Sequence, residues 1–136
     1  MLTLRSTKIT CEEVKGVQVV RIRGRLTQGS GECETVRELV PTLVKGGARY
    51  IVVDLLQVRK VDDSGLEELI SATNHAVWRG CALAFANLPT SLRKLLKKRM
   101  VCPFPAVGGG PYESVEVAIE RIRLAPQPKA VDTPTT

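Results

Sequence analysis

The chain is poor in the residues from which active sites and metal centres are most often built. It has one histidine, His75, and its four cysteines, Cys11, Cys33, Cys81 and Cys102, stand singly with no C-x-x-C pair. Such spacing fits neither a zinc site nor a compact disulfide framework, so buried free thiols are expected. No phosphate-cradling loop is present: "GGG", Gly108 to Gly110, is not followed by the required lysine and hydroxyl, and reads as a plain flexible turn. Without a Cys/His pairing there is no evident nucleophile and base, so neither catalysis nor a cofactor is expected. Asp54 and Asp62, two carboxylates without further ligands, do not make a metal site.

Long apolar runs are also missing. No stretch reaches the roughly eighteen apolar residues of a membrane-spanning helix, and "MLTLRSTKIT" lacks the apolar core and cleavage site of a secretory signal. A cytoplasmic location without membrane insertion is the expectation. The formal charge is +6 with a pI near 9.4, and much of the excess lies in "SLRKLLKKRM", Ser91 to Met100. There Leu92, Leu95 and Leu96 mark the buried side of a short helix, and Arg93, Lys94, Lys97, Lys98 and Arg99 its wet side. The segment has no aromatic residue to stack a base and no groove-reading motif, which argues against a specific nucleic-acid partner.

What remains is a chain of 136 residues, 43% hydrophobic and 25% charged, long enough for one domain with its own core. "KITCEEV" and "VQVVRIR", separated by Lys15-Gly16, read as an antiparallel hairpin. After the turn-rich "TQGSG", Cys33, Val36, Val40 and Leu43 recur at helical spacing, with Pro41 expected to kink the last turn or start a new one and Gly46-Gly47 to end the helix. "YIVVDLL", Tyr50 to Leu56, and "CALAFANL", Cys81 to Leu88, are continuous apolar runs suited to central strands. Between them Leu66, Leu69, Ile70, Thr73 and Val77 share about 100° of a helical wheel. "MVCPFPAVGGG" admits only a short or edge strand because of its prolines. "YESVEVAIERIRL" closes a domain of residues 1–124, and "APQPKAVDTPTT" reads as a disordered tail over 125–136. The outcome is an α/β sandwich with a mixed sheet, its helix-linked strands parallel.

One stretch concentrates negative charge: "VDDSGLEELI", Val61 to Ile70, at the hand-over from strand to helix. Ser64 and Glu67 have the spacing of a capping box, and Asp62 and Asp63 just ahead of it are favoured by the helix dipole by about 0.3–1 kcal/mol each. Such a position, beyond the carboxyl end of a buried strand, is also where open α/β sheets present ligands or partners. Glu67, Ser71, Asn74 and Trp78 then line up beside Asp63, away from the leucines. Trp78 either covers the sheet margin or anchors an interface. A small anion at this helix start is disfavoured, since Asp62 and Asp63 already hold its field with charge of the wrong sign.

"YIVVDLLQVRKVDDSGLEELISA" resembles the signature of the STAS family, the sulfate transporter and anti-sigma factor antagonist domain. Asp54-Leu55, then Asp62, Ser64, Gly65 and Leu66, match it in order and spacing; "GRLTQGS" and "LAFANLPTSLRKLL" extend the likeness over about residues 8 to 124. The resemblance implies a four- to five-stranded mixed sheet with about four helices mainly to one side. It also implies a non-catalytic switch in bacterial regulation, whose partner is an anti-sigma factor that is also a serine kinase. In that branch the first hydroxyl residue after the motif aspartate is phosphorylated. Here that position is Asp63, and Ser64 matches the second hydroxyl, which is not usually the acceptor. The expected contact surface comprises Arg59, Asp62, Asp63, Glu67, Ser71, Asn74 and Trp78. Relatives of this kind also serve as accessory subunits of lipid-transport ATPases or as scaffolds of stress-signalling complexes, the alternative role for this chain.

Overall fold

In the structure, a computed structural model, residues 8–27, 32–99 and 111–124 are described. The hairpin forms as its sequence predicts: β1 (Lys8–Val14) pairs antiparallel with β2 (Val17–Leu26), Val14 opposite Val17, across a turn in which Lys15 and Gly16 both take positive φ. α1 (Glu32–Lys45) leads into β3 (Tyr50–Val61), α2 (Asp63–Trp78) into β4 (Ala82–Ala86), and α3 (Thr90–Arg99) and α4 (Val115–Leu124) complete the described elements. The sheet order is β1-β2-β3-β4, with β3 parallel to both β2 and β4. Tyr112 adds a single parallel bridge beside Ala86 at the β4 edge.

Successive crossovers that step across the sheet in one direction leave their helices on one face. α1, α2 and α3 accordingly share a core with Val20, Ile22, Leu26, Ile51, Val53, Leu55, Leu83 and Phe85. α4 takes the other face, where Val115, Ala118, Ile119 and Ile122 meet Val17, Val19, Val52 and three alanines of β4. Both cores draw on the same strands by alternation, and the alanines let α4 approach the sheet closely. The five helix positions Leu66, Leu69, Ile70, Thr73 and Val77 are all buried, as their wheel arc predicts.

Several expectations need correction. α1 runs four residues past Pro41. One lost backbone bond there is outweighed by Val36 and Val40 in the core and by Leu39, Leu43 and Val44 against it. Beyond it, Gly47 at positive φ lets its own amide reach Val44 O and that of Ala48 reach Leu43 O, both at 3.0 Å, closing the helix. β3 extends to Val61 rather than Leu56, because its second half has only one covered face and so loses the continuous apolar pattern. Leu95 is 47% exposed, while Leu92 and Leu96 are the buried residues that anchor α3 among its described side chains.

The thiols divide. Cys81 is buried, and burial pushes its pKa up to about 12. Cys11 is exposed, contrary to expectation, because it sits on the edge strand β1; partial burial and then Glu12 raise its pKa. Only the thiolate attacks alkylating reagents. Under native, mildly alkaline conditions iodoacetamide is expected to label Cys11 well before Cys81, as peptide mass mapping over time would show. Labelling in the reverse order would contradict this placement. The side chain of Cys33, and Cys102, the segment 100–110 and the tail 125–136, lie outside the described residues.

Candidate functional site

The acidic stretch occupies the point where β3 ends. Arg59, expected in one contact surface with Asp63, belongs to β3, and Asp63 is the first residue of α2, so that Asp62 alone lies between the two elements. Asp62, extended at φ −102° and ψ −171°, is the N-cap: its Oδ1 accepts from the Gly65 amide at 2.9 Å. The capping box predicted for Ser64 and Glu67 does not form. Three residues in this stretch, Asp62, Asp63 and Ser64, have side chains able to cap; Asp62 wins because it is the last residue in extended geometry, three positions before the amide it meets. Ser64 lies within the first turn, half-buried, and Glu67 instead pairs with Arg99 of α3. Both partners of that pair are well exposed, so it links the helices without adding more than about 1 kcal/mol.

Gly65 explains itself by contact. A Cβ there would stand 1.9 Å from Leu26 O and 2.9 Å from Leu26 C, so only glycine lets α2 begin against the end of β2. The Asp62 amide donates to the same Leu26 carbonyl at 3.4 Å. Leu66 is buried directly behind. The helix start is thereby held in register with the sheet.

Asp54 lies elsewhere. It is 8% exposed and on the face of the sheet opposite α2, alternating with the core-facing Val53 and Leu55. Its Oδ1 accepts from Asn87 Nδ2 at 2.8 Å and from the Leu56 amide at 3.0 Å, while Arg21 Nε stands 3.5 Å from Oδ2. Asn87, at φ 59°, turns the chain out of β4 to make this contact. Asp54 thus ties β2, β3 and the exit of β4 together. Asp54 and Asp62 do not share a site, and among the described residues no three His, Cys, Asp or Glu side chains gather as metal ligands.

Along α2, Asp63, Glu67, Ser71, Asn74 and Trp78 are spaced by four, four, three and four, which places them in one stripe. Asp63, Glu67, Ser71 and Trp78 are exposed, Trp78 by 49%, and Asn74 is half-buried. Arg59 is not part of this group. It is exposed on β3 between Val58 and Val61, which turn toward the α2 side. His75, on the helix flank, has its pKa lowered by burial and then by the nearby Arg79.

Sequence reasoning missed one residue here. Glu68 is 5% exposed and receives a two-pronged contact from Arg37 of α1, Nε to Oε1 at 3.0 Å and the second nitrogen to Oε2. The only available signal was its position one residue from the buried Leu69, facing α1. A glutamate on a helix flank otherwise reads as a solvated residue.

A protein-family model described as "Mlab, STAS domain" matches residues 9–99, and the chain belongs to the STAS domain family. Its fold is that of the anti-sigma factor antagonists among solved structures. The antagonist SpoIIAA in its unphosphorylated form superposes with a TM-score of 0.65 at 21% identity, covering 85% of this chain and 98% of that one. An anti-sigma factor antagonist from Mycobacterium paratuberculosis gives 0.65 at 18%, covering 87% and 95%. A variant of RsbS from Moorella thermoacetica gives 0.69 at 16%, covering 86% and 96%. No curated protein matches the chain. At these identities the likeness to the solved structures is one of fold.

Proposed function

We propose that this STAS domain is a non-catalytic regulator that acts in the cytoplasm by binding another protein, an anti-sigma factor with serine kinase activity, through the start and outer stripe of α2. One observation carries the reading. Asp63, at the position that the family likeness assigns to the phospho-acceptor, is exposed on the first turn of a helix that Gly65 seats firmly on β2. The stripe behind it ends in an exposed tryptophan, the residue type most often found as an interface anchor. Asn74 Oδ1, within the same stripe, is buried without a hydrogen-bond partner, a deficit of about 1–3 kcal/mol that rotation toward a donor on a partner would relieve.

Asp63 supplies a permanent single negative charge where a phosphorylated hydroxyl would carry about −1.5 to −2. The partner's kinase therefore has no acceptor at this position, and binding does not follow its activity. Incubation with the cognate anti-sigma kinase and ATP is expected to leave the chain unmodified by mass spectrometry; a stoichiometric phosphate on Ser64 would refute the assignment. Asp63→Ser is expected to restore phosphorylation. Asp63→Lys and Trp78→Ala should each weaken the partner by about tenfold or more, as hot-spot positions do. Unchanged affinity in both would mean the surface lies elsewhere. Affinity capture from the native cell that returned transporter subunits in place of an anti-sigma factor would favour the accessory role.

A further inference from the structure

The part of the sheet that α4 leaves open carries a second surface, independent of the reading of α2. β2 and β3 continue together beyond the end of β4, from Arg23 opposite Gln57 to Leu26 opposite Val61. Twice on this extension β3 advances one residue more than β2, after Arg21 and again after Gly24. Each bulge turns two successive β3 residues outward against one of β2. Leu56 and Gln57 stand between the inward Leu55 and Val58, and Arg59 and Lys60 between Val58 and Val61. All four are exposed, and so are Arg23 and Arg25 opposite them.

The result is four cationic side chains on two strands about 4.8 Å apart, with a leucine that is 66% exposed at the end of the strip nearest α4. Among the described residues, carboxylates at its margin are Glu12 paired with Arg21, the buried Asp54, and Glu116 on the first turn of α4. At the step where α4 begins, a cavity of about 300 Å³ opens beside Leu56, lined also by Arg21, Gln57, Ser114 and Val115.

We propose that this face docks an acidic segment of a partner protein, with an apolar side chain of the segment over Leu56 and into the cavity. Its carboxylates would pair with Arg23, Arg59 and Lys60. Charge complementarity selects an anionic occupant, and the exposed leucine at its α4 end selects a protein: a phosphodiester backbone gains nothing from it, and among the described residues of the strip there is no aromatic to stack a base. A bilayer is excluded by shape. α4 stands on the same face with a thickness of about 10 Å, so the cationic strip is a recess that a planar surface cannot reach.

The test uses a fluorescein-labelled, glutamate-rich amphipathic peptide with leucines at helical spacing, titrated into the full chain and followed by anisotropy. Binding is expected to weaken with salt and to fall about tenfold in the double variant Arg23→Glu, Arg59→Glu. It should fall several-fold in Leu56→Ser with the salt dependence kept. Unaltered thermal melts would show that these exposed replacements leave the fold intact. Equal affinity of the charge-reversed variant would overturn the proposal. So would preferential binding of a DNA duplex or of phosphatidylglycerol vesicles at the same residues. Loss of peptide binding in Asp63→Lys would place the peptide on α2 and overturn it as well.

Discussion

Gly65→Ala is expected to lower the melting temperature by about 10 °C or more and to weaken partner binding with it. The added methyl group would sit 1.9 Å from Leu26 O, a separation that carbon and oxygen do not tolerate, and the obstacle is backbone at the end of the β2–β3 ladder. Something must move, and the less constrained element is the first turn of α2. Its displacement breaks the bond from the Asp62 amide to Leu26 O and loosens Leu66 in the core. Overpacking of this kind costs about 1–3 kcal/mol, and backbone contact places it at the upper end. The sign makes the experiment decisive, because helix propensity alone favours alanine over glycine by about 1 kcal/mol. Gly46 supplies the control: a Cβ there meets only Thr42 O at 3.4 Å and Leu43 O at 3.6 Å, so Gly46→Ala should stay within about 0.5 kcal/mol of the parent. Thermal and urea denaturation of both variants, beside binding assays, would check this. A neutral or stabilising Gly65→Ala would mean that α2 does not rest on β2 as described.

Patterns that depend on neighbours in sequence were readable without coordinates. Lys15-Gly16 between two β-branched runs announced the hairpin, and the five apolar positions of α2 announced its buried face. The family likeness added that Asp54 and Gly65 matter, and the structure supplies the reasons. For Asp54 the reason is Arg21 of β2 and Asn87 just past β4, which are distant in sequence and invisible to a local pattern. The second half of β3 was lost for a related cause. A strand reads as continuously apolar only where both faces are covered, and from Leu56 to Lys60 no described element lies on the outer face. Arg59 consequently looked like a loop residue beside Asp63, whereas its strand turns it away from α2. The cap was misassigned by two residues because Asp62 and Ser64 are chemically equivalent candidates, and only the φ and ψ values separate them.

Charge is unevenly placed in a way that composition alone conceals. The overall excess is basic, yet the start of α2 is acidic, with Asp62, Asp63 and Glu67 within two turns. Cations lie on the open strip of β2 and β3 and on the outer side of α3, where Arg93, Lys94, Lys98 and Arg99 are exposed. Long-range attraction of an acidic partner and local recognition of a cationic one are therefore compatible in one molecule. Salt screens both over about 8–10 Å, so their ionic-strength profiles give a common measure of each surface.

The pair between Arg37 and Glu68 predicts an asymmetry. Glu68 is 5% exposed, whereas the Arg37 side chain is 61% exposed, so the two charges are differently solvated when separated. Arg37→Ala strands a buried carboxylate without its two-pronged donor. Removing one partner of a buried pair usually destabilises by about 3–5 kcal/mol, and water reaching in from the open arginine side reduces that here to roughly 2–3 kcal/mol. Glu68→Gln instead leaves the arginine free to solvate and keeps the shape of the side chain, for a loss of about 1 kcal/mol. The double variant should recover most of what Arg37→Ala loses, since no buried charge remains. Urea denaturation of the three proteins measures the cycle directly. Equal effects of the two single changes would mean that Glu68 is solvated in the native state and that α1 and α2 are held together by their apolar contacts alone.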